Sequence, residues 1–152
     1  GCGNTLYLIP WRNDWQEGLE FRVFIHKRKV TCFSQYICYN NVGWNLEKMQ
    51  IVAPKILNFC NEHIISLMPL DNFVVDVIVV VENPELVESK KIPNITADTI
   101  FHIEVVECNS FGLELASGSA LFHWINDFDI MYGNNNNNIG DQVEVRYIND
   151  EE

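Results

Sequence analysis

Asp76 stands inside the apolar run Phe73–Val81, and Glu107 and Asn109 close the segment Thr99–Asn109. Two carboxylates and an amide oxygen are hard donors, of the kind that hold Mg²⁺ carrying nucleotide phosphates. In an extended chain alternate residues share a face. Phe101, Ile103, Val105, Glu107 and Asn109 then lie on one face of their segment, with His102, Glu104, Val106 and Cys108 on the other. Asp76 falls with Val74, Ile78 and Val80, where an ionised carboxylate is costly unless something pairs with it. If the two segments are neighbouring strands, as chain order favours, Asp76, Glu107 and Asn109 converge. A buried ion pair with Arg22 would neutralise Asp76 equally well, and parity does not choose between the two. Arg22 faces away from Phe21 and Val23 on its own strand. There a guanidinium can grip phosphate or carboxylate with two bonds, or pair with an acid on the next strand.

Other chemistry-bearing residues carry less. Lys27, Arg28 and Lys29 sit where a hairpin must turn, so they read as a solvated tip. His26, His63, His102 and His123 show no metal-ligand spacing and read as structural or surface groups. Ser117-Gly118-Ser119 has the composition of a phosphate-cradling loop without the strand–loop–helix pattern of a P-loop. The five cysteines, Cys2, Cys32, Cys38, Cys60 and Cys108, form no CxxC pair and read as free thiols in a reducing compartment. Cys32 and Cys38 share parity on one expected strand and read as small core residues.

The elements that must position these groups follow from periodicity and turn residues. Glu20–His26 and Val30–Tyr39 read as two strands of a hairpin. Ile56, Leu57, Phe59, Cys60, Ile64 and Leu67 recur at helical spacing, with Pro54 expected in the first turn and Pro69 past the end. Asn72–Glu82 reads as a buried strand, 83–98 as a polar loop and Thr99–Asn109 as another strand. Leu121–Met131 reads as a short helix, 133–140 as a flexible Asn-rich loop and Gln142–Ile148 as a last edge strand. The order implies an α+β domain spanning 1–152, with a largely antiparallel sheet and helices on one face. Thr5–Trp11 reads as a strand already under way, and with no initiator Met the natural chain is expected to begin earlier.

Composition sets the outer bounds. The 152 residues are 47% hydrophobic and 20% charged, enough for one packed core. Lys+Arg 10 against Asp+Glu 21 gives a net charge of −11, which argues against a nucleic-acid-coating protein or a polybasic membrane binder. No apolar run reaches the about 18 residues of a spanning helix. The charge is uneven: 1–40 carries a surplus of two positive charges, whereas 82–114 and the tail 141–152 are acidic. A basic hairpin facing an acidic region suits a metal–polyphosphate complex, and equally two solvated faces. The Asn and Ile bias points to an AT-rich genome.

The segments Glu20-Phe21-Arg22-Val23-Phe24-Ile25, Phe33-Ser34-Gln35-Tyr36, Phe73-Val74-Val75-Asp76-Val77, Val105 to Gly112 and Ser119 to Trp124 occur in that order. Together they resemble the C-terminal half of ATP-grasp proteins. Within that group they are most similar to the branch that contains the cell-division-cycle chaperones that assemble translation initiation factor two, with related viral and bacterial ligases. The resemblance implies an ATP-grasp C-terminal subdomain using ATP and Mg²⁺, with Asp76, Glu107 and Asn109 as metal ligands. It implies that Arg22 contacts nucleotide phosphate and acts catalytically on the transferring phosphoryl group, with Ser34 and Gln35 close by as nucleotide-binding residues. The leading implication is an ATP-dependent carboxylate–amine or similar ligase with a small carboxylate substrate. The alternatives are an assembly chaperone that binds a translation-factor subunit, and a degenerate remnant. A cytoplasmic setting, host cytoplasm for a viral protein, fits all three. The sequence departs from the family at Tyr36 and Ile37, where basic residues are usual, and at Ser110, where proline is usual. The loop 83–98 reads as an insertion. The N-terminal lobe that supplies nucleotide-binding lysines has no counterpart.

Overall fold

The computed structural model describes residues 6, 8–82, 91–115, 117–134 and 142–149. Strands β1 (Glu20–His26), β2 (Lys29–Gln35), β3 (Phe73–Val81), β4 (Phe101–Asn109) and β5 (Glu144–Arg146) form one sheet in the order β4-β3-β1-β2-β5. All neighbours are antiparallel except the β2–β5 pair, which is parallel. The α+β class and the largely antiparallel sheet agree with the sequence expectation. Among the described residues no helix is long and apolar enough to cross a membrane.

One face of the sheet is a continuous apolar layer. Phe21, Val23 and Ile25 of β1, Phe33 of β2 and Val75, Val77 and Val79 of β3 are buried there. Helix α1 (Leu46–Phe59) covers them with Met49, Val52, Ile56 and, in the following π-helical turn Cys60–Ile64, Cys60. Asn45 caps α1, its side chain accepting a bond from the Lys48 N–H at 2.9 Å. The helix therefore starts well before Pro54, which lies mid-helix rather than in the first turn. Pro54 is on the exposed side, where water can take the acceptor that the missing N–H leaves unbonded.

The other face carries a smaller apolar cluster, Phe24, Cys32 and Val74 beneath Phe122, Trp124 and Met131. Within 121–131 only α2 (Phe128–Met131) is helical, and it belongs to this second face, not to the α1 side. Phe122 and Trp124 are both buried at a spacing of two, which a helix cannot place on one side. Asp127 holds the turn before α2 by accepting a bond from the His123 N–H at 2.8 Å.

Other expectations shift too. Residues 8–11 are not in a strand, and Leu8, Ile9 and Trp11 are exposed. Strand β2 stops at Gln35, so Cys38 lies beyond it and is exposed while Cys32 is buried. The hairpin tip is not merely solvated. Lys27 and Arg28 take φ of 50° and 59°, the left-handed pair that a two-residue hairpin turn requires. Arg28 donates to the carbonyls of Ile65 and Met68 at 2.5 and 3.0 Å, tying the tip to the end of the helical segment. Residues 83–90 of the expected insertion and 135–140 of the expected Asn-rich loop lie outside the described residues.

Candidate functional site

A polar row crosses the second face of the sheet. Glu107 of β4 lies opposite Asp76 of β3, Asp76 opposite Arg22 of β1, Arg22 opposite Ser34 of β2, and Ser34 opposite Arg146 of β5. Convergence of Asp76 with Glu107 depends on an irregularity that parity did not anticipate. Asp76 pairs with Glu107 but Val77 pairs with Val105, so Val106 is an extra residue, a β-bulge. The bulge reverses the alternation. Phe101 and Ile103 pack with the α1 layer, while Glu107 and Asn109 turn to the opposite face beside Asp76. The shared face expected for Phe101, Ile103, Val105, Glu107 and Asn109 is therefore corrected.

Asp76 is fully buried and Arg22 nearly so. Arg22 grips both Asp76 oxygens, Nε to Oδ1 at 2.8 Å and Nη2 to Oδ2 at 2.6 Å, a bidentate ion pair. Asn109 Nδ2 donates to Asp76 Oδ2 at 3.2 Å and to Glu107 Oε1 at 3.0 Å. Glu107, half open to solvent, comes within 3.9 Å of Arg22 Nη2. Burial pushes the Asp76 carboxyl above its ordinary value, with Arg22 working against that push. Arg22 is held more firmly protonated by the same bonds.

Two further groups complete the charge balance. Glu20, two residues before Arg22 on β1, shares its side of the strand. Burial first, then the fields of Asp76 and Glu107, push the Glu20 carboxyl up to about 7. Glu20, Asp76 and Glu107 thus set three carboxyl groups around the single Arg22 guanidinium. At the far end, Arg146 binds Asp127 with two bonds at 2.8 and 2.9 Å and Glu144 at 2.7 Å. Among the described residues every buried side-chain nitrogen and oxygen has a partner.

Beside the row opens a groove of about 590 Å³. Glu20, Arg22 and Tyr36 line its sheet side, and Glu17 and residues 37–39 and 118–120 line the rest. Arg22 links groove and row, with its guanidinium 4.8 Å from the Tyr36 ring centre. Its Nη1 also donates to the Gly118 carbonyl at 3.1 Å. A Cβ on Gly118 would come within 2.7 Å of that same nitrogen, so a larger residue there would have to displace the Arg22 guanidinium.

Of the residues singled out in the sequence, the structure gathers Arg22, Asp76, Glu107 and Asn109. Ser34 lies in the row, where its hydroxyl accepts from the Leu121 N–H at 3.3 Å and donates to the Gln35 carbonyl at 3.1 Å. Gln35 lies elsewhere. It is opposite Phe21, donates to the carbonyls of Ile37 and Asn40, and accepts from the Ile148 N–H at 2.8 Å. All its polar atoms serve backbone, so Gln35 braces the chain leaving β2 and does not reach the groove. Sequence reasoning missed Glu20, although its alternation with Arg22 could have found it. It also missed Arg146, which the three-residue β5 barely signals.

The donor set suits a hard cation. Among the described residues no three His, Cys, Asp or Glu side chains are gathered as a metal cage. Mg²⁺ rarely uses one: it takes one or two carboxylates and completes its shell with phosphate oxygens and water. Asp76 and Glu107 supply two carboxylates beside an Asn109 amide, in surroundings short of positive charge.

Residues 3–152 match the D123 family, and the chain belongs to it. Two solved structures share its fold. C-terminally truncated Cdc123 from Schizosaccharomyces pombe has a TM-score of 0.57 at 17% identity, over 91% of this chain and 43% of that one. Cdc123 from the same organism has a TM-score of 0.54 at 15% identity, over 89% of this chain and 43% of that one. The chain therefore spans less than half the length of these structures. No curated protein sequence matches it.

Proposed function

We propose that this D123-family chain is a nucleotide-binding module of ATP-grasp type, in which Mg·ATP supports assembly of a protein partner. The observation that carries the reading is the buried Arg22–Asp76 pair, flanked by Glu107 and Asn109 and opening through Arg22 onto a groove. Asp76, Glu107 and Asn109 would hold Mg²⁺, with the Asn109 amide turned to offer its oxygen. The bound ion would neutralise phosphate charge. Arg22 keeps one nitrogen, Nη1, on a loop carbonyl at the groove, so a modest movement would bring it to a phosphate oxygen. Ser34 and Arg146 act at one remove by holding the loop at Leu121.

The D123 match and the likeness to Cdc123 favour the assembly-chaperone reading over the carboxylate–amine ligase that headed the sequence expectations. The partner we propose is a subunit of translation initiation factor two, following the resemblance noted above.

Calorimetric titration of MgATP tests the binding claim, with Glu107→Gln as the variant because its half-exposed side chain leaves the fold intact. Affinity should fall about tenfold, equivalent to about 1.4 kcal/mol, from losing one charged ligand. Equal MgATP affinity in wild type and Glu107→Gln would overturn the site. Capture of the translation-factor subunit in MgATP but not in EDTA would support the chaperone role. Phosphate release dependent on a small carboxylate and an amine would restore the ligase.

A further inference from the structure

The segment Ser117–Leu121 has an unusual division of its backbone groups. Four of its carbonyls are held by the protein: Ser117 O by Trp124 Nε1 at 2.7 Å, Gly118 O by Arg22 Nη1 at 3.1 Å and Ser119 O by the Phe122 N–H at 2.9 Å. Leu121 O is held by Arg146 Nη1 at 3.1 Å, and the Leu121 N–H by Ser34 Oγ at 3.3 Å. The N–H groups of Gly118, Ser119 and Ala120, by contrast, donate to no group among the described residues. These three residues line the groove together with Arg22. Ala120 is held at φ of 50°, a left-handed conformation that residues with a Cβ rarely adopt. Successive amides without a protein partner, ending in a left-handed residue, are the backbone pattern from which anion-binding concavities are built. Side chains from β1, β2, β5 and the following turn fix it in place.

We propose that the Gly118–Ala120 backbone is an anion cradle which, with Arg22, takes a Mg²⁺-complexed phosphoryl group. The class of ligand follows from charge. Glu17 and Glu20 also line the groove, and Asp76 and Glu107 stand just beyond Arg22. A bare polyphosphate entering that field meets more carboxylate than guanidinium and is repelled. The same polyphosphate carrying a divalent cation brings the positive charge the row lacks, leaving its outer oxygens for the amides. The inference rests on the Mg·nucleotide reading above and assigns the phosphate end of the ligand to a loop that the sequence marks only by Ser117-Gly118-Ser119.

Amide correlation spectra of the full chain, titrated with Mg²⁺, tripolyphosphate, both together, and MgATP, test this directly. The Gly118, Ser119 and Ala120 amide signals should move downfield with magnesium tripolyphosphate and with MgATP, and stay in place with either component alone. Ser119→Asp, which sets a carboxylate in the cradle at a partly exposed position, should weaken magnesium tripolyphosphate binding about tenfold. Movement of the three amides by tripolyphosphate without Mg²⁺ would overturn the proposal as stated. MgATP that binds while those amides stay fixed would overturn the cradle and keep the nucleotide reading. Amides moved by magnesium tripolyphosphate in a chain that ignores MgATP would keep the cradle and overturn the nucleotide reading. If neither ligand moves them, the cradle falls.

Discussion

The two faces of the sheet solve opposite problems. Toward α1, β1 and β3 present Phe21, Val23, Val75, Val77 and Val79 to a helix, and stability there is apolar area removed from water. Toward the groove the same strands present Arg22 and Asp76, and what stability remains depends on every charge finding a partner. A face of the first kind tolerates exchange among residues of similar volume. A face of the second kind loses far more when one partner is removed than when both are, because a single survivor is left buried and charged.

The largest effect is expected on the apolar side. Phe21 is fully buried and meets Phe33 and Trp44 edge-on at 6.2 and 5.0 Å. Phe21→Ala should cost about 3–5 kcal/mol in denaturant unfolding. MgATP affinity of the remaining folded protein should be unchanged, and a parallel loss of affinity would show that the two faces are not separable. On the polar side, Asp76→Ala should cost a similar amount, about 3–5 kcal/mol, by leaving Arg22 buried without its partner. Arg22→Met combined with Asp76→Leu should recover most of that stability while abolishing MgATP binding. A double variant as unstable as Asp76→Ala would mean that the pair is structural first.

The smallest effect is a pH dependence confined to the groove side. The Glu20 carboxyl is raised to about 7 in the folded protein, from 4.5. Its contribution to stability is therefore fully present below the unfolded value and is lost as pH rises through about 7. After allowance for the solvent in the groove, the loss should be on the order of 1 kcal/mol. Glu20→Gln should flatten that part of the stability profile. An unchanged slope between pH 5 and 8, followed by thermal melting, would place Glu20 in water like any surface acid.

Most of the fold was legible because hydrophobic period and turn residues dominate it. The five strands fall where alternation or apolar runs put them, apart from β2 ending early, and the helix was found although its start was misplaced at Pro54. The helix start was hidden because Asn45 caps a turn whose apolar residues, Met49 and Val52, precede the expected pattern. At the site, Asp76 was legible because an acid in a valine strand must be paired, and Arg22 was named as the alternative partner. Glu107 and Asn109 were named by an alternation that does not hold through β4. They reach Asp76 because one residue is bulged out, which a period-two pattern cannot show. The Gly118–Ala120 loop was legible only as composition, since its use depends on side chains from strands far away in sequence.

The extra residue in β4 also makes that strand unequal in how it can change. Val106 has no partner on β3, and its neighbours Val105 and Glu107 already face Val77 and Asp76, so deleting it would leave both pairings in register and keep Glu107 and Asn109 beside Asp76. Length is therefore freer at this point of β4 than elsewhere along the strand: a related chain one residue shorter between Ile103 and Glu107 could carry the same polar row, and an alignment across that stretch must allow a gap there.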